Sequence, residues 1–279
     1  MKPIWLIEKD LFTDTEERLI TLLKEKGYSV KEVKYVPFDD DLSRFERMFK
    51  PDDCVIFYGS LNLAMKLKDA RLPIHIFGDR ERYKCSAYYP HYGDNHINSD
   101  FKMFTFGELN ERKDELFKDD EAIFIRPDSI LKEFTGAVVN IFNWNEAYQL
   151  MGFYNDVVTS DLPVLVSSVK AIELEWRFVV VDGKVVSGSL YRTAEHEETL
   201  HEPCDDPKAW EFAQRMADMY CPERVFVLDV CQTNKGEYKI MEIGCFSFAG
   251  LYGNDLPVVI DKVSVVAADI HWLYMMEKL

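Results

Sequence analysis

Four short apolar runs fall in the first 77 residues, at 4–7, 30–36, 54–58 and 73–77, with helix-like or polar stretches between them. Antiparallel strands can be joined by a two-residue turn, whereas parallel strands need a crossover of a dozen or more residues. This rhythm therefore predicts a parallel sheet with helices packed on it. Residues 13–26 read as one of those helices. Thr13 and Glu16 form a capping box, Leu19, Ile20, Leu22 and Leu23 supply an apolar face, and Gly27 ends it. Gly59-Ser60 opens a second helix that runs to Leu67.

Residues 79–106 change character. They are rich in Tyr, His, Asn and Asp, show no clear period, and read as an irregular segment between an N-terminal domain and the rest. Beyond it come a helix over 108–117 and a strand over 122–126 that runs into Pro127-Asp128. A polar segment with Lys132 and Thr135-Gly136 leads to a strand over 137–141. The next helix is capped by Asn143 and Glu146, with Ala147, Leu150, Met151 and Tyr154 turned inward. A strand over 163–169 precedes a hairpin, 175–181 with 184–190, around Asp182-Gly183. Asp206-Pro207 starts a helix through Tyr220. A hairpin over 225–243 and a final helix over 261–276 complete the chain.

In that last hairpin, two apolar strands flank Lys235-Gly236. A two-residue loop there pairs Asn234 with Glu237, and counting back along both strands sets Asp229 opposite Glu242. Two carboxylates with Cβ atoms roughly 5 Å apart disfavour that pairing unless something positive lies between them. Val227, Cys231 and Ile240 beside them are apolar, so water offers little relief. Either a hydrogen-bonded carboxylate with a raised pKa or a hard divalent cation, Mg²⁺ above all, resolves the conflict, and the apolar flanks favour the cation.

A net charge of −16 leaves no basic excess to neutralise phosphates, which argues against duplex nucleic acid as a partner. Hydrophobic content of 47% indicates a globular protein. The six cysteines form no Cys-x-x-Cys pair, so neither a zinc ribbon nor a thioredoxin motif is signalled. Several lie in apolar runs and suit a reducing, cytoplasmic setting. The first apolar run is too short for a signal peptide, and no segment approaches a membrane span. There is no Gly-x-x-x-x-Gly-Lys-Ser/Thr loop, no Gly-x-Gly-x-x-Gly, no Gly-x-Ser-x-Gly and no His-x-x-x-His. P-loop, Rossmann, serine hydrolase and zincin chemistries are unsupported.

Three further charged features remain. Arg126 ends an apolar strand before Pro127, with Lys132 six residues on, which suits either a phosphate grip or an ordinary strand end. Glu175 and Arg177 share one strand face. The Asp182-Gly183 turn sets Arg177 opposite Gly188, with Arg192 farther along the partner strand. Two arginines near one surface are costly together without an anion.

The order of these features resembles the ATP-grasp superfamily, and within it a divergent clade with a signature of two arginines and a lysine. The resemblance covers roughly residues 100–279. It implies an α/β fold, α+β in its C-terminal part. Residues 1–100 are expected to form a parallel α/β domain and 101–279 a two-subdomain ATP-grasp fold. Within the latter, 101–170 would be the small clamping subdomain and 171–279 the metal- and phosphate-binding one. In that family ATP lies between the two subdomains. By resemblance Arg126, Lys132, Lys170 and Glu175 contact the nucleotide, the last through ribose hydroxyls. Arg177 and Arg192 face the terminal phosphate and an acyl phosphate, and Asp229 and Glu242 hold Mg²⁺. Two departures stand out. Arginine replaces the usual lysine at 126, and Gly244 stands where the family's Glu-x-Asn motif has a third metal ligand. Water, a phosphate oxygen or Ser247 are candidates to fill that place.

The resemblance thus implies an ATP- and Mg²⁺-dependent carboxylate–amine ligase, ADP-forming, that works through an acyl phosphate. Its substrates would be a small-molecule or peptide carboxylate and an amine, with the 128–136 segment as a lid. Tyr88, Tyr89, His91 and Tyr92 are candidates to line the acceptor pocket. Two alternatives stay open: an ATP-binding module that has lost catalysis, and a metal-dependent phosphohydrolase.

Overall fold

A computed structural model describes residues 2–36, 41–69, 72, 74–117, 121–153, 158–196 and 198–277. The first third alternates strand and helix as β1 (Ile4–Glu8), α1 (Thr13–Glu25), β2 (Ser29–Val33), α2 (Ser43–Glu46), β3 (Val55–Tyr58), α3 (Leu61–Asp69) and β4 (Ile74–His75). The strands form one parallel sheet in the order β2-β1-β3-β4, with Trp5 aligned to Val30 and to Ile56. Every residue of β3 is buried, as befits a strand covered on both faces. Side chains alternate along a strand, so the sheet feeds two cores. Trp5, Ile7, Ile56 and Tyr58 pack with Leu19 and Leu23 of α1, while Leu6, Val55 and Phe57 pack with Leu63 and Leu67 of α3.

Local chemistry sets the ends of these elements. Gly27 takes a φ of +73°, its N–H bonds to Lys24 O (3.0 Å), and Tyr28 N–H bonds to Leu23 O (2.9 Å). This is the Schellman closure that a glycine after a helix permits. At the other end of α1 the Thr13 side chain lies outside the described residues. The Glu16 carboxylate accepts the N–H groups of Asp10, Leu11 and Phe12 at 2.9, 2.8 and 2.6 Å. Ser60 Oγ accepts the Leu63 N–H ahead of α3 (3.1 Å).

The stretch read as irregular, 79–106, contains a helix, α4 (Cys85–Tyr92), and a strand, β5 (Lys102–Thr105). Tyr88, Tyr89 and Tyr92 are fully buried, and the Tyr89 ring lies 3.6 Å from that of His96, centroid to centroid. These tyrosines form packed interior, and of the four residues assigned to an acceptor pocket only His91 is exposed. Composition misled here because tyrosine carries a polar tip on a large apolar body. There follow α5 (Phe106–Leu116), β6 (Ala122–Pro127), β7 (Ala137–Asn140), α6 (Trp144–Phe153) and β8 (Pro163–Ser168). Their sheet is antiparallel in the order β5-β8-β6-β7. Its core joins Ile123, Ile125, Val164 and Val166 to Phe106, Phe134 and Trp144. Ala147 and Met151 of α6 pack against this core, but Leu150 is 53% exposed, contrary to its expected inward place, and Tyr154 lies outside the described residues.

The last part comprises β9 (Ile172–Val181), β10 (Lys184–Thr193), β11 (Glu202–Pro203), α7 (Pro207–Met219), β12 (Val225–Thr233), β13 (Tyr238–Cys245) and α8 (Leu256–Glu277). The sheet order is β11-β10-β9-β12-β13. Asp206 Oδ1 accepts the Lys208 N–H at 2.8 Å and Pro207 occupies the first turn, so α7 starts as its sequence predicts. Val259, Ile260, Val263 and Ala267 of α8 join the core around Trp5, and Trp5 Nε1 donates to Ser264 Oγ (3.2 Å). The chain divides into two compact units, both discontinuous: one of residues 1–79, 174–230 and 242–279, the other of 80–173 and 231–241. No helix among the described residues is long and apolar enough to cross a membrane.

Ser247 lies fully buried in the first unit. Its hydroxyl donates to Phe57 O (2.9 Å) and accepts the Phe77 N–H (3.0 Å). The hydroxyl is thus fully buried and engaged with the backbone of β3 and of Phe77, a structural place rather than that of a metal ligand. Ser247→Ala is expected to lower stability by about 1–3 kcal/mol, because a buried donor and acceptor each lose a partner. The midpoint and slope of urea unfolding check this.

Candidate active site

In the first unit, five charged side chains converge on one sheet. Strand β9 carries Glu175 and Arg177, β10 carries Arg192, β12 carries Asp229 and β13 carries Glu242. At the centre Arg177 grips Asp229 with two parallel bonds, Nε to Oδ1 at 2.8 Å and Nη2 to Oδ2 at 2.7 Å. Its Nη1 donates to Gly250 O at 3.1 Å. The guanidinium carbon lies 5.0 Å from the centre of the Tyr252 ring and 5.6 Å from that of Tyr191, and the two rings stack at 4.9 Å. The Asp229 side chain is 3% exposed and that of Arg177 11%. A carboxylate this deep needs a counter-charge and hydrogen bonds, and the planar fork of arginine supplies both.

Glu175 is buried beside this pair. The Tyr191 hydroxyl donates to its Oε2 (2.7 Å) and Arg192 Nη1 lies 3.5 Å from its Oε1. Burial raises the Glu175 pKa above the ordinary glutamate range. The Tyr191 bond and Arg192 lower it, and the like charges of Asp229 and Glu242 raise it again. Burial likewise raises the Tyr191 and Tyr252 hydroxyls, and the neighbouring carboxylates add to this, so both phenols stay neutral.

Register explains this gathering. The β9–β10 turn has Asp182 at φ +49° and Gly183 at +73°, the left-handed pair that a two-residue hairpin turn requires. Lys184 pairs with Val181 and Val185 with Val180, as the turn predicts. Irregularities between Val185 and Ser187 and between Leu190 and Arg192 then each add a residue to β10. Arg177 consequently faces Ser189 rather than Gly188, and Arg192 faces Glu175.

The β12–β13 turn also differs from expectation. Its loop has three residues: Gly236 N–H bonds to Thr233 O (2.8 Å), Thr233 N–H bonds to Glu237 O (2.9 Å), and Gly236 takes a φ of +76°. Thr233 therefore replaces Asn234 as the partner of Glu237. The Thr233 hydroxyl favours this turn by accepting the N–H groups of Lys235 and Glu237, both at 3.3 Å. Left uncorrected, the one-residue shift would turn Glu242 to the face opposite Asp229. The buried positions of β13 slip in phase between Ile240 and Ile243. Beyond the slip, a Cβ on Gly244 would meet Val227 Cγ2 at 3.0 Å. That contact matches the pairing that sets Glu242 across from Asp229.

The donor set suits a hard cation. It consists of oxygens, with three carboxylates against two guanidinium groups. Glu242 and Asp229 are the residues that would hold Mg²⁺. The tight approach to Val227 shows why a small residue suits position 244.

The second unit carries the other expected residues. Arg126 follows Ile125 on β6 and shares a strand face with Phe124, opposite the buried Ile123 and Ile125. Gly136 lies against both Phe124 and Arg126, where a Cβ would come within 3.0 Å of the Phe124 ring. Lys132 is exposed, at φ +51°, in a segment anchored by buried Phe134 on the Phe106 ring. Asp128 Oδ1 accepts the Ser86 N–H at 2.9 Å. The expected lid is therefore tied down on both sides of Lys132. Lys170 pairs with Asp100 and donates to Ser168 O (2.9 Å), and Asp100 also accepts the Ser168 hydroxyl (2.6 Å).

Sequence reasoning missed Tyr191, Tyr252 and Asn254. Tyr252 has a φ of +47°, and Asn254, 1% exposed, donates to Arg177 O (3.3 Å) and Leu251 O (2.9 Å). The run Gly250-Leu-Tyr-Gly-Asn-Asp255 marks a tight loop before α8, a signal of a turn though not of an arginine clamp.

Residues 103–261 match the ATP-grasp domain, R2K clade family 2. No curated protein matched the sequence. Among solved structures, the fold is similar to that of D-alanine–D-alanine ligase from Bacillus anthracis complexed with ATP. The TM-score is 0.63 at 14% identity, covering 98% of this chain and 100% of that one. It is also similar to N5-carboxyaminoimidazole synthetase from Staphylococcus aureus complexed with ADP, with TM-score 0.62, 10% identity, and 94% and 77% covered. For D-cycloserine synthetase DcsG the TM-score is 0.60 at 10% identity, with 95% and 99% covered.

Removing Arg177 strands Asp229 among like charges. Arg177→Met is expected to cost roughly 3–5 kcal/mol at neutral pH. The double variant Arg177→Met/Asp229→Leu should recover more than half of that loss. Urea unfolding of the three proteins checks this, and an unchanged midpoint in the single variant would contradict it. Glu175→Gln tests the crowding. Because burial raises the folded-state pKa of Glu175, unfolding releases a proton above the ordinary glutamate pKa, and its ionisation costs stability as pH rises through the folded value. The variant should therefore match wild type in acid and become the more stable protein towards neutral pH, as read by melting temperature against pH.

Proposed function

The chain belongs to the ATP-grasp family, R2K clade family 2, and from that premise we propose that it is an ATP- and Mg²⁺-dependent carboxylate–amine ligase. A substrate carboxylate attacks the γ-phosphorus of ATP, and ADP leaves. An amine then attacks the resulting acyl phosphate, forming an amide and releasing phosphate and a proton. On this reading residues 1–100 are the preceding α/β domain, 101–170 the clamping subdomain and 171–279 the metal- and phosphate-binding one. The setting is a reducing cytoplasm, in keeping with six free cysteines.

The observation that carries the proposal is the cluster of Glu175, Arg177, Arg192, Asp229 and Glu242 within the matched region. Phosphoryl transfer asks a protein mainly for positioning and charge neutralisation rather than a nucleophile. Arg192, 66% exposed at its side chain and 3.5 Å from Glu175, is loosely held and suited to grip the transferring phosphoryl group. Arg177 is fixed by Asp229 and Gly250, so it offers its remaining donors without reorganising. By family resemblance Arg126, Lys132 and Lys170 serve the nucleotide, and Glu175 its ribose. Asp229 and Glu242 would hold Mg²⁺, which would supply neutralisation of the phosphate charge.

A second reading, an ATP-binding module without catalysis, draws on two facts. Gly244 offers no third ligand, and Arg177 already engages both oxygens of Asp229. ADP release across panels of amino acids and peptides, with Mg²⁺ and an amine acceptor, separates the readings. The ligase is expected to release ADP only with carboxylate present. Glu242→Gln or Arg192→Ala should lower that rate about 10²–10³-fold with unchanged melting temperature. Full turnover in Glu242→Gln rules out its metal role. Calorimetric binding of ATP·Mg²⁺ with no ADP formed on any carboxylate favours the module.

A further inference from the structure

Away from the carboxylate cluster, the first unit brings together Cys54, His75 and His271, one ligand atom of each lying within 4.8 Å of the others. Among the described residues this is the one such convergence of histidine and cysteine ligands. We infer that these three residues form a binding site for a borderline divalent metal ion of the zinc type. Thiolate and imidazole are the ligands such ions prefer, and tetrahedral zinc places its donors closer together than this limit, so small side-chain movements close the site.

Two observations point to a ligand rather than to ordinary packing. His75 Nε2 is buried and has no hydrogen-bond partner. A buried polar atom left so is costly unless something else satisfies it. His271 Nε2 lies 3.1 Å from Asp52 O. A carbonyl only accepts, so Nε2 carries the proton and Nδ1 keeps its lone pair. A backbone carbonyl that holds one N–H of a histidine and leaves the other nitrogen to the metal is the arrangement that orients metal-bound imidazoles. The two rings meet edge to face at 5.6 Å, with Cys54 2% and His271 4% exposed.

The three ligands come from the entry to β3, from β4 and from α8. A bound ion ties the C-terminal helix to the edge of the N-terminal sheet, with water in the fourth position. Binding deprotonates the Cys54 thiol and releases that proton to solvent, while both imidazoles bind neutral. This site is independent of the nucleotide chemistry proposed above.

The test uses the full chain, stripped with a chelator and titrated with Co²⁺ under reducing conditions. Wild type is expected to take up one equivalent with a thiolate-to-cobalt charge-transfer band, which one equivalent of Zn²⁺ abolishes, and Zn²⁺ should raise the melting temperature. Cys54→Ser should lose the band, and His271→Gln should bind Co²⁺ at least about tenfold more weakly. Circular dichroism verifies folding. Should Cys54→Ser fail to fold, His75→Gln, on the half-buried edge strand, carries the expectation given for His271→Gln, Co²⁺ binding and its thiolate band weakened at least about tenfold. A wild-type protein with no thiolate band, or a band undiminished in the folded variants, overturns the site.

Discussion

The bond between Arg177 and Asp229 is the constraint around which the first unit is arranged. A carboxylate 3% exposed, near two further acids, is tolerable only because a guanidinium fork meets it in plane. The same arginine reaches Gly250 O, and Asn254 reaches back to Arg177 O. The loop before α8 is thereby tied to β9. Gly253 N–H to Ser189 Oγ (2.9 Å) and Asp255 N–H to Ser187 Oγ (2.7 Å) tie it to β10 as well. Tyr252 is held in a left-handed conformation over the guanidinium as a result. A strained backbone at such a place persists because its surroundings over-determine it.

Irregularities in strand pairing then decide which charges meet. A straight β10 would set Arg192 opposite Glu173, and two added residues bring it opposite Glu175. On β13 the buried positions change phase between Ile240 and Ile243, and beyond that point Gly244 lies against Val227. Bulges of this kind re-aim side chains without changing the sheet order. The outcome is a surface where acids outnumber bases by one, with one arginine fixed and the other largely exposed. Such a surface carries an excess of acids beside an exposed positive group.

Much of this was legible in the residues themselves. The alternation of the first third, the Asp182-Gly183 turn, the Asp206-Pro207 helix start and the Gly27 helix stop are all local chemistry, and each stands where the chain predicts it. The acids and arginines of the cluster were also visible, since charged residues inside apolar strands need an explanation. The interior around Tyr88, Tyr89 and Tyr92 was not, because a polar composition hid large apolar rings. The β12–β13 turn was misjudged by one residue because the Thr233 hydroxyl, rather than the glycine alone, selects the loop.

The sequence by itself determined the parallel sheet, most of the longer helices and strands outside residues 79–106, and the kinds of side chain that line the candidate site. Those follow from periodicity and from turn and cap residues, which act over a few positions. Only the tertiary structure decided that Arg177 engages Asp229, that Arg192 meets Glu175, and that Cys54, His75 and His271 converge. These partners lie tens to hundreds of residues apart. Their meeting depends on register slips and on the docking of α8, to which no local period points.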